Sequence, residues 1–153
     1  DGYRAMNETT TRLNVAGPAL AGLPGVHAMT DVTGFGLLGH LLEICRGSGL
    51  HAHVQVSRLP FLAGVVALAE AGFVTGASAR NWASYGAEVQ LAAGLGDARR
   101  ALLCDPQTSG GLLVSCATDA VPAVLETFER HGFAQASVIG NRNDGIPGIT
   151  VDH

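Results

Sequence analysis

The sequence contains no lysine, so every one of its nine Lys/Arg positions is an arginine. The phosphate loop G-x-x-x-x-G-K-[ST] requires a lysine and is therefore absent. The net charge is −4 with neutral histidines, whereas a face that binds nucleic acid is basic. The absence of lysine thus excludes the commonest phosphate loop of nucleoside triphosphate-binding proteins, and the negative net charge argues against a nucleic-acid partner.

Cysteine is also scarce, with three residues far apart in the chain at positions 45, 104 and 116. They form neither a C-x-x-C motif nor a disulfide framework, which favours a reducing compartment. No apolar run reaches the ~20 residues of a membrane-spanning helix, and no signal peptide is visible. We therefore expect a cytoplasmic protein without a membrane segment.

Apolar side chains are abundant enough for a core, at 47% of 153 residues, and this length is typical of one domain. Helix-like and strand-like segments alternate along the chain, and the last two strands are separated by a polar turn over residues 141–145. We predict an α+β fold, a layered domain in which a mixed β-sheet is covered by helices. The predicted helices cover residues 3–14, 35–46, 61–71, 96–103 and a segment from Asp119, and the predicted strands cover 26–30, 50–56, 112–116, 136–140 and 148–151. Residues 73–94 show no sustained period and are predicted to be irregular, either as a functional segment or as a packed surface loop.

The strand over residues 50–56 alternates apolar and polar side chains, with His51 and His53 on its wet face. Two histidines on one face can share a metal ion, but no third ligand stands nearby in the sequence. Solvated strand residues are the favoured interpretation.

A glycine-rich turn joins the strand at 26–30 to the helix at 35–46 and carries Thr30, Asp31 and Thr33. A helix N-terminus presents free N–H groups, so such a junction can bind an anion or a metal–anion pair. The alternative is a tight turn in which Thr or Asp caps the helix.

A second dense turn, residues 104–111, reads CDPQTSGG. Its glycines follow Thr108 and Ser109, and together they form either an N–H-rich concavity for an anion or a plain turn. No histidine lies close to Cys104 in the sequence to act as its general base. No other nucleophile–base pair can be identified from the sequence. The residues alone thus indicate two hydroxyl-rich turns and a possible metal–phosphate site.

Residues 28–40 (AMTDVTGFGLLGH) and 103–113 (LCDPQTSGGLL) resemble the two signature segments of selenophosphate synthetases, also called selenide, water dikinases. Residues 80–86 (RNWASYG) and the opening helix with Met6, Leu13 and Asn14 extend the resemblance over nearly the whole chain. The second segment favours this branch over related purine, thiamine and hydrogenase-maturation proteins.

The resemblance implies an enzyme that makes selenophosphate, AMP and phosphate from ATP, selenide and water. The family has an N-terminal domain that dimerises and holds ATP, followed by a C-terminal α+β domain. The family's catalytic Cys or Sec, its lysine and its glycine-rich loop lie upstream, so residues 1–153 resemble the C-terminal domain alone. We expect this chain to hold no catalytic residue and to be inactive by itself. The alternatives are the C-terminal domain of another superfamily member and a non-catalytic interaction module.

The resemblance also assigns residues. It implies that Asp31 is a ligand of Mg²⁺, shared with aspartates of the N-terminal domain, and that Thr30, Thr33 and Gly34 shape the cofactor-binding turn. ATP, selenide, the N-terminal domain and a second copy of the full-length protein are the implied partners. The resemblance assigns no firm role to Asp105, Thr108 and Ser109.

Overall fold

The computed structural model describes residues 2–153. Its helices are α1 (Gly2–Thr10), α2 (Gly17–Ala21), α3 (Gly36–Ser48), α4 (Val65–Glu70), α5 (Gly76–Tyr85), α6 (Asp97–Leu103) and α7 (Val121–Arg130). Its strands are β1 (Val26–Asp31), β2 (Leu50–Gln55), β3 (Val89–Leu91), β4 (Leu112–Cys116), β5 (Gly140–Asp144) and β6 (Gly148–Asp152). Among these residues, no helix is both long and apolar enough to cross a bilayer.

The strands form two sheets. The larger is mixed, in the order β3-β6-β2-β5, with β6 parallel to both of its neighbours and β5 antiparallel to β2. The smaller is the antiparallel pair of β1 and β4. The predicted α+β class with a mixed sheet and covering helices is confirmed, although the strands divide between two sheets.

Two hydrophobic clusters hold these layers together. In the larger, Leu38 and Leu42 of α3 pack with Val54 of β2 and with Ile149 and Val151 of β6. The spacing of Leu38, Leu42 and Cys45 places them on one face of α3, which is why that helix covers the sheet. The smaller cluster joins α2 and α7 to the β1–β4 pair. The junction between β1 and α3 is therefore fixed on both sides by a core.

The prediction for the last two strands is wrong in part. Residues 141–145, predicted as a turn, belong largely to β5, while 136–140 form no strand apart from Gly140. β5 and β6 do not pair with each other but flank β2 on opposite sides. The strand lacks apolar alternation because its inward side chain, Arg142, donates to Ser48 and Ser115 instead of entering an apolar core.

The prediction that residues 73–94 are irregular is wrong. They contain α5, a 3₁₀ turn and β3. Thr75 caps α5 by accepting from the Ser78 N–H at 3.3 Å. The helical period is weak in the sequence because one of the two buried residues of α5 is the polar Ser78. Helix α1 ends at Thr10, four residues before the predicted end, and α4 begins at Val65, four residues after the predicted start.

Candidate functional site

The two glycine-rich turns lie side by side. Because β1 and β4 are antiparallel, the end of β1 and the start of β4 meet, with Asp31 opposite Leu112. The Val32 N–H donates to the Gly111 carbonyl at 2.9 Å, and the Gln107 N–H donates to the Thr33 carbonyl at 3.0 Å. We call residues 31–36 and 104–111 together the double turn.

Two glycines allow this close approach. Gly36 has φ +70°, and a Cβ there would lie 2.6 Å from the carbonyl carbon of Cys104. A Cβ on Gly110 would lie 1.9 Å from the Val32 carbonyl oxygen. Any side chain at either position would push the two turns apart.

Helix α5 fastens the two turns to each other. The side-chain amide of Asn81 donates to the Gly34 carbonyl and to the Cys104 carbonyl, each at 2.9 Å. One turn later in α5, the Tyr85 hydroxyl donates to the Phe35 carbonyl at 2.7 Å. Burial raises the pKa of Tyr85, so its hydroxyl stays protonated and remains a donor. The sequence did not predict these roles of Asn81 and Tyr85, although both residues lie in segment 80–86, which carries part of the family resemblance.

Asp105 holds the start of α5 against the double turn. Its Oδ1 accepts hydrogen bonds from the hydroxyls of Thr75 and Ser78, each at 3.1 Å. Thr75 is also the N-cap of α5, so the carboxylate stabilises the cap and the turn at once. The structure thus gives Asp105 a positioning role that the sequence left open.

The hydroxyls of Thr30 and Thr33 are engaged within the first turn. Thr30 donates to the Asp31 carbonyl at 3.1 Å, and Thr33 Oγ1 lies 3.1 Å from Nε2 of the buried His40. Gly34 is exposed and contributes its carbonyl to Asn81. These contacts shape the turn, while a direct contact of the three residues with a cofactor stays a prediction.

Asp31 differs from these neighbours because its side chain is not used by the fold. It is exposed at the last position of β1, and its carboxylate makes no hydrogen bond or ion pair with any of residues 2–153. Those residues also contain no group of three or more His, Cys, Asp or Glu able to hold a metal ion. A free carboxylate is the kind of hard oxygen ligand that Mg²⁺ prefers, so Asp31 suits the ion chemically, while its role as a metal ligand stays a prediction.

The two histidines of β2 form a different kind of polar cluster. His51 Nδ1 lies 3.0 Å from the Ile146 carbonyl oxygen, and its Nε2 lies 2.9 Å from the Thr150 hydroxyl. The rings of His51 and His53 are 5.2 Å apart between centroids. Both nitrogens of His51 are thus engaged by the chain itself, so His51 is a hydrogen-bonded strand residue and not simply the solvated one that the sequence favoured.

The three cysteines are free thiols. Cys45 and Cys104 are fully buried, and burial raises the pKa of each. Burial also raises the pKa of the partly exposed Cys116. All three are therefore protonated near neutral pH and are poor nucleophiles there.

Comparison with known proteins adds the family to this geometry. The family model described as "AIR synthase related protein, C-terminal domain" matches residues 4–151. The chain is 61% identical over 150 residues to "Selenide, water dikinase" of Pseudomonas straminea, covering 98% of the chain and 42% of that protein. It is 59% identical over 149 residues to the protein of that name from Dechloromonas aromatica (strain RCB), covering 97% and 43%. The chain thus spans about two fifths of the length of these relatives, and the resemblance inferred from the motifs is confirmed.

Solved structures agree on the fold. The hydrogenase maturation protein HypE of E. coli matches with a TM-score of 0.63 at 19% identity, over 90% of this chain and 34% of that one. Thiamine-monophosphate kinase from Stenotrophomonas maltophilia K279a matches with a TM-score of 0.55 at 24% identity, over 84% and 32%. At such identities the likeness concerns architecture alone.

Proposed function

The chain belongs to the AIR synthase related proteins, whose C-terminal domain it represents, and on this premise we propose that it is part of a selenide, water dikinase. The reaction proposed for the whole protein converts ATP, selenide and water into selenophosphate, AMP and phosphate. The observation that carries the proposal is the identity of 51–61% to proteins of that name over nearly the whole chain.

The geometry of the double turn supports a role for this domain in the active site of the whole protein. Asp31 is an unused carboxylate on a rigid frame, which suits a ligand of Mg²⁺ that is shared with another domain. When bound, the ion supplies positive charge that offsets the charge of the ATP phosphates. Thr30, Thr33 and Gly34 contribute by fixing the backbone from which Asp31 projects.

In this proposal, the remainder of the protein supplies the other Mg²⁺ ligands and the positive charge that faces the phosphates. One carboxylate cannot hold Mg²⁺ tightly, and the chain has no lysine to place against phosphates. An interface with an N-terminal domain is supported by α1, which buries none of its residues, and by Tyr3 and Leu13, each 76% exposed. A homodimeric full-length enzyme completes the proposal, and the three free thiols are consistent with the cytoplasm.

The experiment uses the intact protein that contains this chain. It is incubated with ATP, Mg²⁺ and selenide, and AMP is measured by chromatography. We expect AMP formation that depends on selenide, and no turnover by residues 1–153 alone. Either AMP formation that ignores selenide or turnover by this chain alone would contradict the proposal.

A further inference from the structure

Three consecutive backbone N–H groups in the double turn find no partner within residues 2–153. Those of Thr108, Ser109 and Gly110 donate to no acceptor among residues 2–153. The side chains of Thr108 and Ser109 are exposed, and neither hydroxyl makes a hydrogen bond with those residues. Five hydrogen-bond donors therefore lie in this segment, residues 108–110, without being used by the fold.

The backbone of this segment contains one residue in the left-handed region. Ser109 has φ +52° and is the one residue other than glycine, within residues 2–153, that adopts the left-handed region. Successive N–H groups around a left-handed residue can point into one concavity, which is a common way of binding an anion. A non-glycine residue persists in this conformation where its surroundings enforce it, and such positions cluster at binding sites.

The segment is held firmly at both ends. Before it, the Gln107 N–H donates to the Thr33 carbonyl at 3.0 Å. After it, the Gly110 carbonyl accepts from the Asn14 side chain at 2.9 Å, and the Gly110 Cα packs against the Val32 carbonyl. The free donors therefore sit on a fixed frame, which lowers the entropy that a ligand would lose on ordering them.

Charge identifies the class of ligand. The carboxylate of Asp105 in this turn is occupied by Thr75 and Ser78, whereas that of Asp31 is free, and Asp31 lies opposite Leu112, two residues after Gly110. A bare anion would be repelled by Asp31, but an anion paired with a divalent cation would satisfy both sides. We propose that residues 108–110 bind a phosphoryl group whose Mg²⁺ is held by Asp31. This inference rests on the proposed function and assigns Thr108 and Ser109 to that same site.

The first test follows backbone amides of the intact, ¹⁵N-labelled protein in the presence of Mg²⁺. Inorganic phosphate and tripolyphosphate are titrated separately, to distinguish a free phosphate from one in a polyphosphate chain. We expect one of the two to shift the amide protons of Thr108, Ser109 and Gly110 downfield, and to do so more weakly without Mg²⁺. Silent amides at all three residues with both probes would overturn the inference.

The second test compares two substitutions at one position. Asn and Asp both tolerate the left-handed region, so Ser109→Asn and Ser109→Asp preserve the turn and differ by one charge. We expect Ser109→Asn to bind the responding probe within about threefold of wild type, and Ser109→Asp to bind at least about tenfold more weakly. Thr118→Asp adds the same charge beyond the far end of β4 and is expected to leave binding unchanged.

Equal binding by Ser109→Asp and Thr118→Asp would overturn the inference. If Ser109→Asp proves unstable in a thermal melt, the amide response of the wild type decides alone. The outcome for the enzyme is separate: an intact protein that forms AMP normally with Ser109→Asp refutes this site and leaves the proposed function standing. Conversely, amide shifts at residues 108–110 in a protein without selenide-dependent AMP formation retain the phosphoryl site and refute the function.

Discussion

The double turn and the histidine face of β2 are both polar and both reachable from solvent, yet their polar groups are used differently. Both ring nitrogens of His51 are engaged by the chain itself. In the double turn, by contrast, the carboxylate of Asp31 and the N–H groups of residues 108–110 find no partner among residues 2–153. Polarity is common to the two regions, but only the double turn combines unused groups with a rigid frame.

Rigidity in the double turn comes from close backbone contact, and Gly36 and Gly49 show what that contact requires. Both glycines have φ +70°. Gly36 faces the backbone of Cys104, whereas nothing lies within 4 Å of a Cβ placed on Gly49. The same backbone conformation therefore serves a helix C-cap at Gly49 and a packed junction at Gly36.

The largest effect is expected from comparing these two glycines. Replacing either by alanine costs about 1–2 kcal/mol for the left-handed conformation. Gly36→Ala adds a clash with Cys104, and we expect a further 1–3 kcal/mol or so from overpacking. Urea unfolding of both variants measures the difference, and equal losses of stability would show that the two turns are not tightly packed.

A somewhat smaller effect is expected at Asn81, which bridges the turns. Asn81→Asp replaces the shared amide donor with a carboxylate facing the carbonyls of Gly34 and Cys104. We expect a loss of about 1–3 kcal/mol in the free energy of unfolding, because the carbonyl of the buried Cys104 and that of the exposed Gly34 lose their donor. Arg80→Ala, at the exposed neighbouring position on α5, is the control and should change stability by less than about 0.5 kcal/mol. A difference below that value between the two variants would refute the bridging role.

The histidine face should respond least. His51→Ala removes hydrogen bonds to Ile146 and Thr150 and is expected to cost about 1 kcal/mol. His53→Ala removes only a ring contact and should cost less. Zn²⁺ should not raise the melting temperature of the wild type, and a rise that both variants abolish would instead reveal a metal site.

Much of the fold follows from hydrophobic periodicity. The predicted strand at 26–30 corresponds to β1, and the predicted helix at 35–46 corresponds to α3, each within two residues. The period fails where polar side chains pack inward through hydrogen bonds, as at the half-buried Arg142 in β5 and the buried Ser78 in α5. At those positions a polar residue type suggests an exposed side chain. The side chain nevertheless turns inward, because it bonds to a residue distant in the sequence.

The candidate site divides in the same way. The identity and spacing of residues in the two turns indicated where Asp31 and the glycines lie, because turn chemistry is local. The contacts of Asn81 and Asp105 join segments 23 to 47 residues apart. Such contacts leave no local signal, so the positioning role of α5 became visible only in three dimensions.

The central claim is that Asp31 is the ligand this domain contributes to a shared Mg²⁺ site. Asp31→Asn in the intact protein keeps the shape of the side chain and removes its charge. The N-cap of α3 is Phe35 and no side chain caps this helix, so a loss of activity in Asp31→Asn would not reflect a lost helix cap. His53→Gln, at a polar strand position outside the double turn, is the matched control.

The decisive measurement is selenide-dependent AMP formation by Asp31→Asn across a Mg²⁺ titration, with the melting temperature recorded alongside. We expect kcat/KM at limiting Mg²⁺ to fall at least ~10-fold, equivalent to about 1.4 kcal/mol of transition-state stabilisation, with an unchanged melting temperature and a normal His53→Gln control. Wild-type kcat/KM for Asp31→Asn at limiting Mg²⁺ would remove Asp31 from the metal site and contradict the account.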